Sequence, residues 1–107
     1  MKNSIVTLIL IGCAILEVGG DAVIRRGLQG RHALAVALGF VILGSYGLLV
    51  NLVPLDFSRL LGAYVGFFAL VSVLGGRFVF REAVPPSTWV GLTLVLAGSF
   101  VIQHGFR

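Results

Sequence analysis

The chain has 107 residues, of which 58% are hydrophobic and 11% are charged, whereas ordinary soluble domains are about 25% charged. A soluble protein this small could not keep so much apolar side chain away from water, so the composition argues against a water-soluble domain. The net charge of +4 does not indicate a nucleic-acid partner, because the basic residues lie at the ends of apolar runs and form no single patch.

Four apolar runs cover most of the chain, at about residues 4–24, 33–53, 58–80 and 86–104. Each has about the 17 to 25 residues that a helix needs to cross the hydrocarbon core of a bilayer. The sequence therefore predicts an all-α membrane protein in which residues 1–107 form a single domain of four transmembrane helices.

Two carboxylates, Glu17 and Asp21, lie in the first run, and on a helix their spacing of four residues places them on one face. A charge inside a bilayer is costly, so a carboxylate at such depth indicates a functional group. Glu17 lies at least one turn inside the boundary that Arg25 and Arg26 mark. Asp21 has a second interpretation, which is an ion pair with Arg25 at the helix end.

The first connection, GLQGRH at residues 27–32, predicts a short polar turn in which a glycine ends the first helix. The second run contains no charge. Its glycines allow a close approach to another helix, which favours association because lipid supplies no hydrophobic drive between helices.

The third run contains the other unusual charge, Arg59. One interpretation is an interfacial ion pair with Asp56, three residues earlier, and the other is that Arg59 reaches the same cavity as Glu17. Small residues line one face of this run beside Tyr64, and we expect bending on that face and at a glycine pair further along. The glycine pair also predicts a kink or an early end of the helix. The small residues are Gly62, Ala63 and Gly66, and the pair is Gly75 and Gly76.

The fourth run has Gly91 and Gly98 on one face, seven residues apart, which suits a tight seam between helices. His32 and His104 lie in or beside loops without the spacing of metal ligands, so we expect no metal and no cofactor. Glu17 and Asp21 are paired carboxylates, but no nucleophile, base and orienting group accompany them, so the sequence does not predict an enzyme.

Arginines and lysines give a weak orientation signal. With four spans, one side of the membrane holds three of them and the other side holds five. This bias favours termini outside the cytoplasm, and it is small enough for the chain to insert in both orientations. Insertion in both orientations would permit an antiparallel dimer.

The order of short motifs resembles the small multidrug resistance family of bacterial inner-membrane transporters. The similar pieces are AILEV at residues 14–18, Pro54, VG at 65–66, FRE at 80–82 and GLTLVLAGS at 91–99. Drug-exporting members of that family have aromatic residues in the third span, where this chain has Arg59 and Gly62. The chain is more similar to the YnfA-like branch of the superfamily, through Arg59, Ala63, Tyr64, Gly66, Arg77 and the WVG step at 89–91.

This resemblance implies an antiparallel homodimer in the bacterial inner membrane, with Gly91 and Gly98 at the dimer seam. Two copies of Glu17 would share one cavity and bind either protons or a small cationic substrate. The implied function is a proton-coupled antiporter that exports small cationic or hydrophobic compounds. The candidate substrate and proton site consists of Glu17, Asp21, Arg59, Tyr46 and Tyr64.

The mechanism predicted for Glu17 is competition between a proton and a cation for the carboxylate. Burial and a neighbouring like charge both disfavour the carboxylate anion, so they favour its protonated form. Loss of the proton prepares a site for a cation, and reprotonation expels the cation. An alternative function is a non-catalytic membrane subunit, such as half of a lipid-carrier flippase or an assembly factor.

Overall fold

The computed structural model describes residues 3–105. Four helices follow one another, α1 over Asn3–Gly30, α2 over Ala33–Asn51, α3 over Phe57–Phe78 and α4 over Pro86–His104. The described residues contain no strand. All four helices are long and apolar enough to cross a membrane, since 19 residues of helix already extend about 28 Å. The prediction of an all-α protein with four membrane-spanning helices is confirmed, and the antiparallel dimer stays a prediction.

The chain divides into two compact units, residues 1–54 and 55–107. Each unit is a helical hairpin, α1 with α2 in the first and α3 with α4 in the second. The prediction of a single domain stays a prediction.

The α1 helix continues through the expected turn and ends at Gly30. Arg31 follows in the left-handed conformation, with φ of 58°. The His32 N–H donates to Gly27 O at 2.8 Å, and the Arg31 N–H donates to Leu28 O at 3.4 Å. These two bonds form a Schellman motif, whose left-handed position is more often glycine. The last helical residue is thus Gly30, a glycine of the predicted turn, and Arg31 takes the left-handed position after it.

The carbonyl groups of the glycine pair near the end of α3 accept hydrogen bonds from residues that follow the helix. Gly75 O accepts hydrogen bonds from the N–H groups of both Val79 and Phe80, at 2.8 and 3.2 Å, and Gly76 O accepts one from the Glu82 N–H at 3.0 Å. Because α3 runs two residues past the pair, the helix does not end at the glycines. Bending at this pair stays a prediction.

Large apolar side chains cover the outside of both hairpins. Leu34 and Leu48 of the first hairpin are 84% and 74% exposed, and Phe78 of the second is 70% exposed. A water-soluble protein avoids exposed apolar area on this scale. The exposed surface therefore agrees with helices that are surrounded by lipid.

Candidate functional site

One stripe of α1 forms the core of the first hairpin. Its positions recur at alternating steps of three and four residues, the spacing of a helix face that packs on a partner. The buried members of the stripe are Val6, Leu10, Cys13, Gly20 and Gly27. Glu17 occupies the position between Cys13 and Gly20, where it is half-buried. The glutamate therefore lies on the face of α1 that packs against α2.

Close contacts fix the register between α1 and α2. In each one, a Cβ added to a glycine of one helix would meet the other helix: Gly27 meets Val36, Gly39 meets Ile24, and Gly20 meets Leu43. Each step of three or four residues back along α1 is matched by an equal step forward along α2. The next step of this series places Tyr46 opposite Glu17, and both side chains are half-buried.

One step further along the same register, the two helices have buried apolar side chains next to Glu17 and Tyr46. This step pairs Cys13, which is 0% exposed, with Val50, which is 2% exposed. Glu17 and Tyr46 both interact with other groups of the chain, so neither polar side chain is free. The hairpin thus holds a carboxylate and a phenol at one level, beside a buried apolar layer.

Asp21 has a different environment from Glu17, although the two carboxylates are one turn apart. Asp21 and Arg25 are exposed, and they lie off the stripe that packs on α2. The ion pair between Asp21 and Arg25 stays a prediction. The structure therefore separates a half-buried carboxylate from an exposed one.

Arg59 belongs to the second hairpin and binds the end of α4. Its Nη2 donates a hydrogen bond to Gln103 O at 2.7 Å. The last carbonyls of a helix have no partner within the helix, and a cation is favourable at that negative end of the helix dipole. Neither sequence interpretation included this partner. A role for Arg59 at the cavity of Glu17 stays a prediction.

Tyr64 is also in the second hairpin, where it is buried with 4% exposure. Its ring centroid lies 6.3 Å from that of Phe68, one turn later in α3. Of the five predicted site residues, the structure thus brings Glu17 and Tyr46 to one level of the first hairpin. Arg59 and Tyr64 lie together on α3 of the second hairpin.

Ser99 is a residue whose importance the sequence analysis missed. Its hydroxyl contacts the small-residue face of α3, with Oγ–O distances of 2.9 Å to Gly62 and 2.6 Å to Ala63. The Gly66 N–H donates to the same Oγ at 3.1 Å. A signal was available, because a serine opposite glycines spaced by four residues suits a hydroxyl packed against an exposed helix backbone.

The predicted seam glycines of α4 lie on an open face. A Cβ added at Gly91 or Gly98 would meet no atom within 4 Å. In contrast, a Cβ at Gly66 would lie 2.6 Å from Ser99 Oγ, on the packed side of the hairpin. The dimer seam stays a prediction, and the face on which it was predicted is accessible.

The described residues include no group of three His, Cys, Asp or Glu side chains that could hold a metal ion. The polar groups at the Glu17 level are a carboxylate, which can accept a proton or a cation, and a phenol, whose hydroxyl can form hydrogen bonds.

Comparisons with known proteins agree on one family. A sequence profile described as "Uncharacterised BCR, YnfA/UPF0060 family" matches residues 3–107. A UPF0060 membrane protein of Saccharopolyspora erythraea is 33% identical over 98% of this chain and 96% of its own length. Relatives with the same name from Mycolicibacterium vanbaalenii and Nocardia farcinica are 34% and 35% identical, each over 94% of both chains. No solved structure gives a significant match.

Proposed function

The chain belongs to the UPF0060 (YnfA) family of membrane proteins, and on this premise we propose that it is a proton-coupled antiporter that exports small cationic or hydrophobic compounds. We place it in the bacterial inner membrane, where a proton gradient is available to drive exchange. The proposed working form is a homodimer, in which two copies of Glu17 contribute to one cavity.

The observation that supports this proposal most is the position of Glu17. It lies on the packed stripe of α1, half-buried and opposite Tyr46, within a helix that is apolar enough to cross the membrane. Ionisable residues inside membrane spans are costly and are typical of substrate pathways and proton relays. An apolar residue at this position would cost less free energy in the membrane, so a purely structural role does not explain a glutamate here.

In the proposed cycle, the Glu17 carboxylate binds either a proton or a cationic substrate. The two ligands compete because both neutralise the same negative charge. Exchange follows when the loaded protein opens to one side of the membrane at a time. Tyr46 contributes a hydroxyl that can orient the carboxylate or donate to a polar group of the substrate.

Substitution of Glu17 tests this mechanism in reconstituted liposomes. The test uses a panel of quaternary ammonium, guanidinium and polyamine cations. For at least one of them, a gradient of the compound should drive protons through the wild-type protein in the opposite direction. Glu17→Gln keeps the shape of the side chain and removes its charge, so coupled proton movement should fall to the level of protein-free liposomes. A pH-sensitive dye inside the liposomes provides the measurement.

Asp21→Asn makes the same chemical change one turn away, on an exposed position. Retained transport in Asp21→Asn would confine the coupling to Glu17, and loss of transport would include Asp21 in the site. Unaltered transport in Glu17→Gln would remove Glu17 from the mechanism. If the wild-type protein alone couples no compound to protons, the alternative of a non-catalytic membrane subunit gains support.

A further inference from the structure

A pocket of about 210 Å³ lies in the second hairpin, where the connection between α3 and α4 folds back on α3. Three oxygen-bearing side chains line it, from Ser72, Glu82 and Thr88. Aliphatic groups of Val73, Ala83, Val84 and Pro85 form the rest of its wall. The pocket thus combines one negative charge with two hydroxyls on an apolar background.

The position of Glu82 is set by the turn that precedes it. Its N–H donates to Gly76 O at 3.0 Å, and Arg81 before it adopts a left-handed φ of 55°. A Cβ added at Gly76 would lie 2.5 Å from Glu82 Oε1. The carboxylate therefore lies against bare backbone of α3, at a place that only glycine leaves open.

The N-terminus of α4 has few free N–H groups that would repel a cation in this pocket. The free N–H groups at a helix N-terminus usually favour anions. Here Pro85 and Pro86 have no N–H, and the Thr88 N–H is bonded to Pro85 O at 3.0 Å. The Glu82 carboxylate is the charged group that lines the pocket, so the pocket suits a cation.

The surroundings of the pocket are typical of a membrane interface. Arg77 and Arg81 are exposed on either side of the helix end. Phe78 is 70% exposed, and Trp89, at the start of α4, is 40% exposed. Aromatic side chains concentrate at the level of lipid headgroups, and arginine binds phosphate well. A ligand here would meet the Glu82 carboxylate within the pocket, and Arg77 and Arg81 are the chain neighbours of Gly76 and Glu82.

We propose that this pocket binds the headgroup of an ethanolamine phospholipid. A primary ammonium has three N–H donors, which matches the oxygens of Glu82, Ser72 and Thr88, and the neighbouring phosphate lies at Arg77 or Arg81. A choline headgroup carries methyl groups in place of those donors and cannot make the same hydrogen bonds. This site is independent of the transport proposed for Glu17.

Trp89 provides a local probe, because it is the one tryptophan of the chain. The full-length protein is reconstituted in phosphatidylcholine vesicles that contain a small fraction of a test lipid with brominated acyl chains, which quenches tryptophan. The test lipids are phosphatidylethanolamine, its monomethyl and dimethyl derivatives, and phosphatidylcholine. Apparent affinity should fall with each methyl group, by about fivefold over the series, as expected for partly exposed charge-assisted hydrogen bonds.

Glu82→Gln should abolish this preference, while Asp56→Asn, which changes an exposed carboxylate before α3, should retain it. Thr88→Val removes one pocket hydroxyl and does not alter the turn that holds Glu82, so it should reduce the preference for phosphatidylethanolamine. This variant keeps the test valid if Glu82→Gln folds poorly. Equal quenching by all four lipids in the wild-type protein would overturn the proposal. So would brominated phosphatidylglycerol that binds as tightly as phosphatidylethanolamine, because phosphate contacts alone would then explain the binding.

Discussion

At Ser99 one hydroxyl group contacts three backbone groups of a neighbouring helix. The oxygen accepts a hydrogen bond from the Gly66 N–H and lies within donor distance of the carbonyls of Gly62 and Ala63. In an ideal α-helix the Gly66 N–H would pair with Gly62 O. The Ser99 hydroxyl therefore contacts both the donor and the acceptor of a backbone hydrogen bond that an ideal α3 helix would form. A side chain at such a position is one of the recognised causes of a helix bend.

Removal of this hydroxyl should weaken the second hairpin. Ser99 is 8% exposed, so Ser99→Ala removes hydrogen bonds at a buried contact between α3 and α4, and we expect a loss of about 0.5 to 1.5 kcal/mol in the free energy of unfolding. Unfolding in mixed detergent micelles, followed by circular dichroism, gives the measurement. Ser45→Ala is the control, because Ser45 bonds an exposed carbonyl of its own helix at 2.9 Å. Equal stability losses in the two variants would contradict this account of Ser99.

The residues that sequence reasoning located best are those whose chemistry is unusual for their surroundings. Glu17 is conspicuous because it is a charge in an apolar run, and the structure places it on a packed face. The partner of Arg59 was missed because it is the main-chain oxygen of Gln103. Every residue has a carbonyl oxygen, so only the end of a helix in three dimensions distinguishes that one as a partner.

At the scale of the helix, the contact between α1 and α2 depends on a few glycines. A Cβ at Gly39 would collide with Ile24 Cγ1 and lie 2.9 Å from Gly20 O, which belongs to the backbone of the other helix. A Cβ at Gly44 on the same helix would meet nothing within 4 Å. Glycines that look alike in the sequence therefore have different roles, depending on whether they face the partner helix.

The two glycines give a matched prediction. Gly39→Ala should destabilise the first hairpin by about 1 to 3 kcal/mol, because the backbones of α1 and α2 must separate to accommodate the methyl group. Gly44→Ala should be neutral or stabilising by up to about 1 kcal/mol, since alanine favours a helix more than glycine does. Detergent unfolding of both variants compares them directly. Destabilisation by Gly44→Ala as large as that by Gly39→Ala would show that the register described for this hairpin is wrong.

Helix existence was easier to predict than helix ends. Four apolar runs of membrane length leave few alternatives to four helices, because every backbone polar group in lipid needs a partner within the helix. The turn predicted at residues 27–32 lies mostly within α1, which ends at Gly30. Gly27 is inside the helix, where its lack of a side chain permits contact with Val36 of α2. Arg31, which follows the helix, has a residue type that rarely adopts a positive φ.

At the scale of the whole chain, the two hairpins share a pattern. In each, the first helix is followed by an arginine with positive φ, Arg31 in one and Arg81 in the other. Three buried positions of α1 recur fifty residues later in α3: Leu10, Cys13 and Ala14 correspond to Leu60, Ala63 and Tyr64. By the same spacing, Glu17 corresponds to Phe67. The two units thus share these three buried positions, and the first carries an ionisable group where the second carries an aromatic ring.

The proposed dimer can be tested at the open face of α4. Gly98→Val adds a branched side chain at an open position, since a Cβ there would meet nothing within 4 Å among the described residues beyond its own turn of helix, so the hairpin itself should keep its stability. If α4 packs against a second copy at Gly91 and Gly98, the added volume should weaken the dimer on the order of tenfold, which corresponds to roughly 1.4 kcal/mol. Gly44→Val is the matched control, because it adds the same group to another open glycine, outside the predicted seam. Energy transfer between labelled copies, measured as the protein is diluted in lipid, reports the dissociation constant. A dimer that tolerates Gly98→Val as well as Gly44→Val would place its interface away from this face of α4.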